Sequence, residues 1–363
     1  MFPLQRFLFL CAVLISASLP YAARAASGDS SPKVQFVAVQ PEVKLEVLDW
    51  GGTGRNLVLL AGAGNTAHVF DSLGPKLAER YHVFGITRRG FGRSSAPESG
   101  YSSRQLGDDV VAVLDSLHIE SPVLIGHSIA GEELSAVSKY HPGRVAGLIY
   151  LDAGYSFALY NPAHGDYMMT MSDLANDLAM IKKNPFDESL LSKVSKELAL
   201  FQTNLAEIRG EVGGASGPSP TNVDRASIAA FQQYMKGYFG GIEPASEIRE
   251  LYLITDTGAV GEGRGNHFAN QALMLGEERF SNTDTPSLAI FSYPNAPIAG
   301  VTHDPRKLSA YKAAETGRKE PQIAAFRNQP HAKVVVIPNG THYIFLSHEA
   351  EIISLIREFV DGL

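Results

Sequence analysis

Ser128 is the side chain in this sequence most clearly placed to act as a nucleophile. It lies in the segment Gly126-His-Ser-Ile-Ala-Gly131, between a short apolar run and a helical pattern. A strand that turns sharply into a helix at a serine is typical of a nucleophile elbow, where the residues two before and two after the serine must be small. Gly126 and Ala130 meet this requirement, and Gly131 follows one position later. The segment predicts acyl transfer through a serine hydroxyl, and an ordinary turn that contains a serine is the alternative.

Two further segments extend this pattern. Arg89 to Ser95 (RGFGRSS) follows the fourth apolar run, and Asn339 to Tyr343 (NGTHY) follows the last one. With the elbow, they resemble three motifs of the α/β-hydrolase superfamily, in its branch of lidded, esterase-like serine hydrolases. The resemblance covers the chain from about residue 57 to the C-terminus, except for most of one insertion. It implies an α/β fold with a mostly parallel central sheet, helices on both faces and a mainly helical lid.

His342 is the expected general base. A serine hydroxyl is a weak nucleophile at neutral pH, so it needs a base within hydrogen-bond reach and a third group that orients the base. His342 follows the apolar run Val334 to Ile337 in a short loop before the terminal helix, and none of the ten other histidines is placed in this way. His127 adjoins Ser128, but neighbouring side chains around a turn point apart, so we assign it no role.

The acid that completes the triad has two candidates. The resemblance implies an acid after the seventh strand, but residues 288–297 contain no carboxylate, and Asp304 is the first acid beyond them. The other family position is the end of the sixth strand, where Asp152 lies. Both candidates keep the chain order Ser, Asp, His. We favour Asp152, with Asp304 as the alternative. If Asp152 has no catalytic role, we expect its carboxylate to bond the backbone, as a helix N-cap or within a loop.

Acyl attack on a carbonyl also requires two donors that are preorganised for the oxyanion. The backbone N–H of Ile129, directly after the serine, is expected to be one of them. The resemblance places the other in the loop after the third strand, at Ala63. The family usually has His-Gly where this chain has Ala61-Gly62. The hydrogen bonds that support this loop must therefore come from residues other than a histidine at position 61.

Strand and helix patterns alternate along the chain, as expected for a parallel sheet covered on both faces. The predicted strands are Val34–Val39, Val43–Trp50, Leu57–Leu60, His82–Ile86, Val123–Ile125, Leu148–Leu151, Leu288–Phe291 and Val334–Ile337. The predicted helices of the core are Val69–Arg80, Arg104–Leu117, Ile129–Tyr140 and Ala350–Val360.

This alternation stops between residues 155 and 285. The interval contains helical patterns at Ser172–Lys182, Ser189–Arg209, Arg225–Tyr238 and Asn266–Glu277, but no clear parallel-strand unit. We interpret it as a helical lid inserted between two parts of the core, residues 26–154 and 286–363. Tyr160, Tyr167, Met168, Met169 and Met171 cluster at its start, where they either line an apolar substrate pocket or pack inside the lid.

Residues 1–25 are typical of a secretory signal peptide. Arg6 precedes an apolar stretch from Phe7 to Leu19, and Ala23-Arg24-Ala25 is an A-x-A cleavage signal. The stretch is shorter than the roughly 20 residues that span a bilayer. We therefore expect a secreted or periplasmic product with no stable membrane anchor after cleavage.

Composition excludes several other classes. The 363 residues carry a formal charge of −7, whereas a general nucleic-acid binder needs a basic face. The one cysteine, Cys11, lies in the predicted leader, so a thiol nucleophile and an internal disulfide are excluded. No metal-ligand spacing, phosphate loop or dinucleotide fingerprint is present, so we expect no metal and no cofactor.

These observations predict a serine hydrolase that cleaves a small-molecule carboxylic ester through an acyl-enzyme. The alternatives are an amidase or aminopeptidase that uses the same triad, and a family member that binds a ligand without turnover. The oligomeric state stays open.

Overall fold

One eight-stranded sheet forms the centre of the molecule, in the order β1-β2-β4-β3-β5-β6-β9-β10. The first two strands are antiparallel to their neighbours, and all later pairs are parallel. The eight predicted strands are all present, which confirms the α/β fold. Their bounds are β1 Lys33–Gln40, β2 Val43–Gly51, β3 Asn56–Leu60, β4 His82–Ile86, β5 Val123–His127, β6 Gly147–Leu151, β9 Ser287–Ser292 and β10 Ala332–Ile337.

The computed structural model describes residues 31–214, 219–296 and 304–363, and only the backbone of residues 211–214. The predicted leader, residues 1–25, lies outside these ranges. Within them, no helix combines the length and the apolar character needed to cross a bilayer.

The central strands are buried on both faces. In β3, Val58 and Leu60 belong to one apolar cluster, and Leu57 and Leu59 belong to the other. Successive side chains of a strand point to opposite faces, so these two clusters are the two sides of the sheet. Burial of each such side chain contributes about 1.5–3 kcal/mol. This rigid sheet fixes the strand ends from which the site residues extend.

Helices cover both sides of the sheet and build the inserted segment. In the core they are α1 Gly74–Ala78, α2 Ser103–Ser116, α3 Gly131–Tyr140, α9 Pro305–Arg327, α10 Ile344–Ser347 and α11 Glu349–Asp361. Residues 155–285, here called the cap, contain α4 Tyr167–Ile181, α5 Glu188–Gly214, α6 Ile228–Phe239, α7 Ala245–Leu251 and α8 His267–Leu275, with an antiparallel hairpin of β7 Tyr252–Ile254 and β8 Val260–Gly263.

The structure differs from the predicted core helices in two places. The helix predicted over Val69–Arg80 is a 3₁₀ turn, Ala67–Phe70, followed by the short α1, because Pro75 starts a new helix at its first turn. Helix α9 was not predicted at all. It has Pro321 in its interior and buries polar side chains, among them Glu315 and Gln322, so its sequence shows no apolar stripe. Helix α5 of the cap packs along α9.

Gly131 ties the start of α3 to the end of β6. A Cβ atom at this position would lie 2.1 Å from the backbone oxygen of Ala153 and 2.9 Å from the Cβ of Ala158. Because the nearer atom is backbone, it cannot turn away as a flexible side chain could.

Gly131→Ala is therefore expected to lower the free energy of unfolding by about 1–3 kcal/mol, as overpacking does, although alanine is the better helix former. Urea denaturation measures the effect. Gly265→Ala is the matched control, since no heavy atom lies within 4 Å of a Cβ there. Equal unfolding midpoints for the two variants would contradict the close packing.

Candidate active site

Ser128 lies in a strained turn between β5 and α3. Its φ is +55°, in the left-handed region that serine rarely adopts. The residues around it are small where the chain approaches itself: a Cβ on Gly126 would lie 3.1 Å from the oxygen of Ala130. The carbonyl of Ala153 approaches position 131 rather than 130, so the second glycine of the elbow is needed one residue later than in the common motif.

His342 lies between Ser128 and Asp152. Its Nε2 is 2.9 Å from the Oγ of Ser128, and its Nδ1 is 2.8 Å from Oδ2 of Asp152. Asp152 follows β6, and His342 lies in the loop after β10. The alternative acid, Asp304, instead caps α9 by accepting hydrogen bonds from the N–H groups of Arg306 and Lys307. The structure thus brings together the serine, the histidine and the favoured acid.

The Asp152 carboxylate is completely buried and has several donors. Oδ1 accepts from the backbone N–H of Ser292 (3.1 Å), and Oδ2 accepts from the hydroxyl of Tyr155 (3.1 Å). The Lys319 ammonium is 3.0 Å and 3.1 Å from the two oxygens. Burial alone would raise the pKa of Asp152, but Lys319 and His342 outweigh it and hold that pKa well below its usual range. The acid is therefore ionised.

Lys319 is not among the site residues that the sequence predicts. It lies on α9, the helix that showed no apolar stripe, and lysine is almost never fully buried unless it is paired. An N-cap aspartate followed by a proline, Asp304-Pro305, is a helix-start signal that could have revealed α9. No sequence signal indicates that one of its lysines reaches Asp152.

His127 holds the backbone of the base, His342, through a hydrogen bond. It does not bond the serine hydroxyl; its Nε2 donates to the backbone oxygen of His342 at 2.9 Å, and its ring centre lies 4.7 Å from that of His342. Burial and the neighbouring His342 lower the pKa of His127 to about 3, so its ring is neutral. The sequence analysis assigns His127 no role because neighbouring side chains around a turn point apart. Its contact with a residue 215 positions away has no local sequence signal.

The loop after β3 lies against the elbow. A Cβ on Gly62 would be 2.9 Å from Nδ1 of His127 and 3.2 Å from the Cβ of Ser128. Arg88 supports this loop: it donates to the oxygens of Ala61 (2.8 Å) and Gly62 (3.4 Å) and pairs with Glu133 of α3. The roles of Ala63 and Ile129 as oxyanion donors stay predictions.

The cap is fastened to the same loop through Glu247 of α7. Its carboxylate accepts from the backbone N–H of Thr66 (2.9 Å), from the Thr66 hydroxyl and from Nδ2 of Asn65 (2.9 Å). Burial raises the pKa of Glu247 to about 7, although these hydrogen bonds lower it. Asn65 in turn accepts from the hydroxyl of Tyr343, beside His342. One cap helix therefore positions both the predicted oxyanion loop and the histidine loop.

Comparison with known proteins now decides the family. The model of the Alpha/beta hydrolase family matches residues 57–355. This chain belongs to the alpha/beta hydrolase family. Among curated relatives, it is 29% identical over 102 residues to 2-(acetamidomethylene)succinate hydrolase of Mesorhizobium japonicum, a match that covers 28% of this chain and 36% of the relative. It is 27% identical over 203 residues to the sn-1-specific diacylglycerol lipase ABHD11 of Danio rerio, with 54% and 63% covered.

In each case the chain spans less than two thirds of the relative's length. Solved structures show the same alpha/beta hydrolase fold over nearly the whole chain. The crystal structure of E-2-(acetamidomethylene)succinate hydrolase has a TM-score of 0.56 at 18% identity and covers 91% of this chain and 99% of its own. A thermophilic esterase from Thermogutta terrifontis has a TM-score of 0.54 at 18% identity, with 91% and 98% covered.

In this alpha/beta hydrolase, a cavity of ≈ 630 Å³ opens beside the three site residues. Core and cap both line it. Five residues were expected to form a pocket or a lid core. Tyr167 and Met168 line the cavity, Met169 is buried, Met171 is half-buried, and the ring of Tyr160 packs against the Arg279 guanidinium.

The cavity wall also carries charge. The Arg318 guanidinium lies 4.8 Å from the ring centre of Tyr155, and Asp166 and Glu277 lie together on the cap side. Burial and the carboxylates of Asp166 and Glu132 raise the pKa of Glu277 to about 10, so it is protonated at neutral pH. Within the described ranges, no group of three or more His, Cys, Asp or Glu side chains is arranged to hold a metal ion. The cavity thus offers apolar walls and a few polar groups to an organic substrate.

Proposed function

We propose that this chain is a serine hydrolase that cleaves a carboxylic ester through an acyl-enzyme. The observation that carries the proposal is the unbroken pair of hydrogen bonds from Asp152 through His342 to Ser128, 2.8 Å and 2.9 Å long. Two matched relatives are named as hydrolases or lipases, which supports the same class of chemistry.

The steps follow from these contacts. The Oγ of Ser128 bonds to the ester carbonyl carbon while Nε2 of His342 takes the hydroxyl proton, and the carbonyl oxygen becomes an oxyanion at the N–H groups of Ile129 and Ala63. The tetrahedral intermediate then breaks its bond to the alkoxide, which leaves with the proton from His342. Water repeats the sequence on the acyl-enzyme, giving the carboxylic acid and free Ser128. Asp152 orients the ring and stabilises the imidazolium throughout.

Ser128→Ala removes the nucleophile, so hydrolysis of p-nitrophenyl butyrate is expected to fall by about 10⁴-fold or more. Stopped assays on purified variant and parent, with circular dichroism to confirm folding, measure the loss. Equal rates would rule out a serine mechanism.

The two candidate acids provide a matched control for this test. Asp152→Asn leaves His342 without its ionised partner and should lower kcat by about 10⁴-fold. Asp304→Asn changes a helix cap, and asparagine caps a helix as well as aspartate does, so kcat should stay within about twofold.

A second candidate substrate is an amide or peptide with a free amine. The Asp166–Glu277 pair in the cavity wall favours it, because an ammonium group placed there would be held by two carboxylates once Glu277 gives up its proton. With an uncharged ester, Glu277 keeps its proton and the pair carries only the charge of Asp166.

If the substrate carries such an amine, Glu277→Gln should raise KM for an alanine ester or anilide about tenfold and leave KM for p-nitrophenyl butyrate within about twofold. Glu262→Gln, at an exposed glutamate of the cap hairpin, is the control. Equal effects on the two substrates would count against the amine.

We further propose that the protein is exported, because its first 25 residues read as a cleavable leader. N-terminal sequencing of the protein recovered from the medium or periplasm should begin at Ala26. Recovery from the cytoplasm with the leader attached would contradict export.

A further inference from the structure

A buried lysine bridges the acid of the site. Lys319 is 1% exposed, and its ammonium lies 3.0 Å and 3.1 Å from the two oxygens of Asp152. The same nitrogen donates to the backbone oxygen of Ser292 and to Oδ1 of Asn295 (3.3 Å). Among the described residues, the atoms that bond this nitrogen are all acceptors, and the one charged acceptor is the carboxylate that also bonds His342.

Asp152 consequently stands between two positive groups whenever His342 is protonated. Its Oδ2 lies 3.1 Å from Nζ of Lys319 and 2.8 Å from Nδ1 of His342, so the two cations are at most about 6 Å apart. At this separation, and with the site closed to solvent on the acid side, the repulsion between them is substantial. Lys319 and the imidazolium of His342 therefore share one carboxylate. In a triad without such a lysine, the imidazolium is the one cation that this carboxylate bonds.

We propose that Lys319 is a positioning residue that holds the carboxylate of Asp152 in place and weakens its hold on the protonated base. The inference rests on the proposed function and goes beyond it. By offsetting part of the charge of Asp152, Lys319 reduces the stabilisation that this carboxylate gives to the protonated imidazole. The hydroxyl of Tyr155 and the N–H of Ser292 bond the carboxylate without adding charge.

Four other titratable side chains lie around this pair: Arg318, Glu315, Tyr155 and His127. Arg318 and Glu315 lie on the same helix as Lys319 and affect its charge with opposite signs. Tyr155 faces Asp152, and His127 lies beneath His342 with a neutral ring. Lys319 itself places a positive charge within bonding distance of both oxygens of Asp152.

The test measures the titration of the His342 imidazole by NMR in a Ser128→Ala background, which needs no turnover. Lys319→Gln keeps a donor but removes the charge, so the titration midpoint should rise by about 1 pH unit. Lys319→Arg keeps the charge and should leave the midpoint near that of the parent. Lys312→Gln, which neutralises an exposed lysine on the same helix, is the matched control and should change nothing. An unchanged midpoint in a folded Lys319→Gln protein would overturn the proposal.

A second variant covers the case in which Lys319→Gln fails to fold. Lys319→Met removes the charge and keeps an unbranched side chain of similar length in the buried site. Its imidazole midpoint should rise by about 1 pH unit, as in Lys319→Gln. A folded Lys319→Met protein with the midpoint of the parent would contradict an electrostatic role for Lys319.

The activity profile separates this inference from the proposed function. With Ser128 intact, the acid limb of kcat/KM for p-nitrophenyl butyrate should move to higher pH in Lys319→Gln by the same amount as the imidazole midpoint. Ester hydrolysis that persists in Ser128→Ala would refute the serine mechanism, whereas the NMR comparison would still decide whether Lys319 acts on His342.

Discussion

The structure depends on keeping one completely buried carboxylate, Asp152, ionised at the end of β6. A lone charge in such a place is costly, and it persists only where partners surround it. Here the partners come from four separate parts of the chain: Tyr155 just after β6, Ser292 at the end of β9, Lys319 on α9 and His342 after β10. The neighbouring sheet strands, the last part of the core and α9 must therefore all be in place before the site exists.

The surrounding contacts carry this constraint outward. Gly131 lets the oxygen of Ala153, the residue after the acid, approach the start of the helix that follows Ser128. Arg88 joins that helix to the loop after β3 through Glu133, and Glu247 joins the loop to the cap. The result is a preorganised arrangement, in which nucleophile, base and acid are held by elements whose positions are fixed by the sheet. Breaking a buried pair such as Asp152–Lys319 on one side only typically costs 3–5 kcal/mol, so function and stability share this contact.

Much of this arrangement follows from the sequence. All eight sheet strands could be predicted, because apolar runs without alternation suit strands buried on both faces. Ser128, His342 and Asp152 could be placed because each follows such a run. Helix α9 could not, since Pro321 and a row of buried polar side chains hide its periodicity. Lys319 and the contact of His127 with the His342 carbonyl depend on tertiary packing between distant segments, and no local pattern encodes them. In the cap, α4, α5, α6 and α8 could be predicted from their periodicity. Helix α7 and the hairpin could not, because α7 has seven residues and β7 has three, too few for a clear period.

The most direct measurement is covalent labelling of the purified protein with a fluorophosphonate ester, followed by intact-mass and peptide mass spectrometry. A serine activated by His342 and Asp152 attacks phosphorus and displaces fluoride, giving one stable adduct per chain. The account predicts a single adduct on Ser128, formed far more slowly in a folded His342→Ala variant. An adduct on another residue, or none on a folded protein, would contradict it.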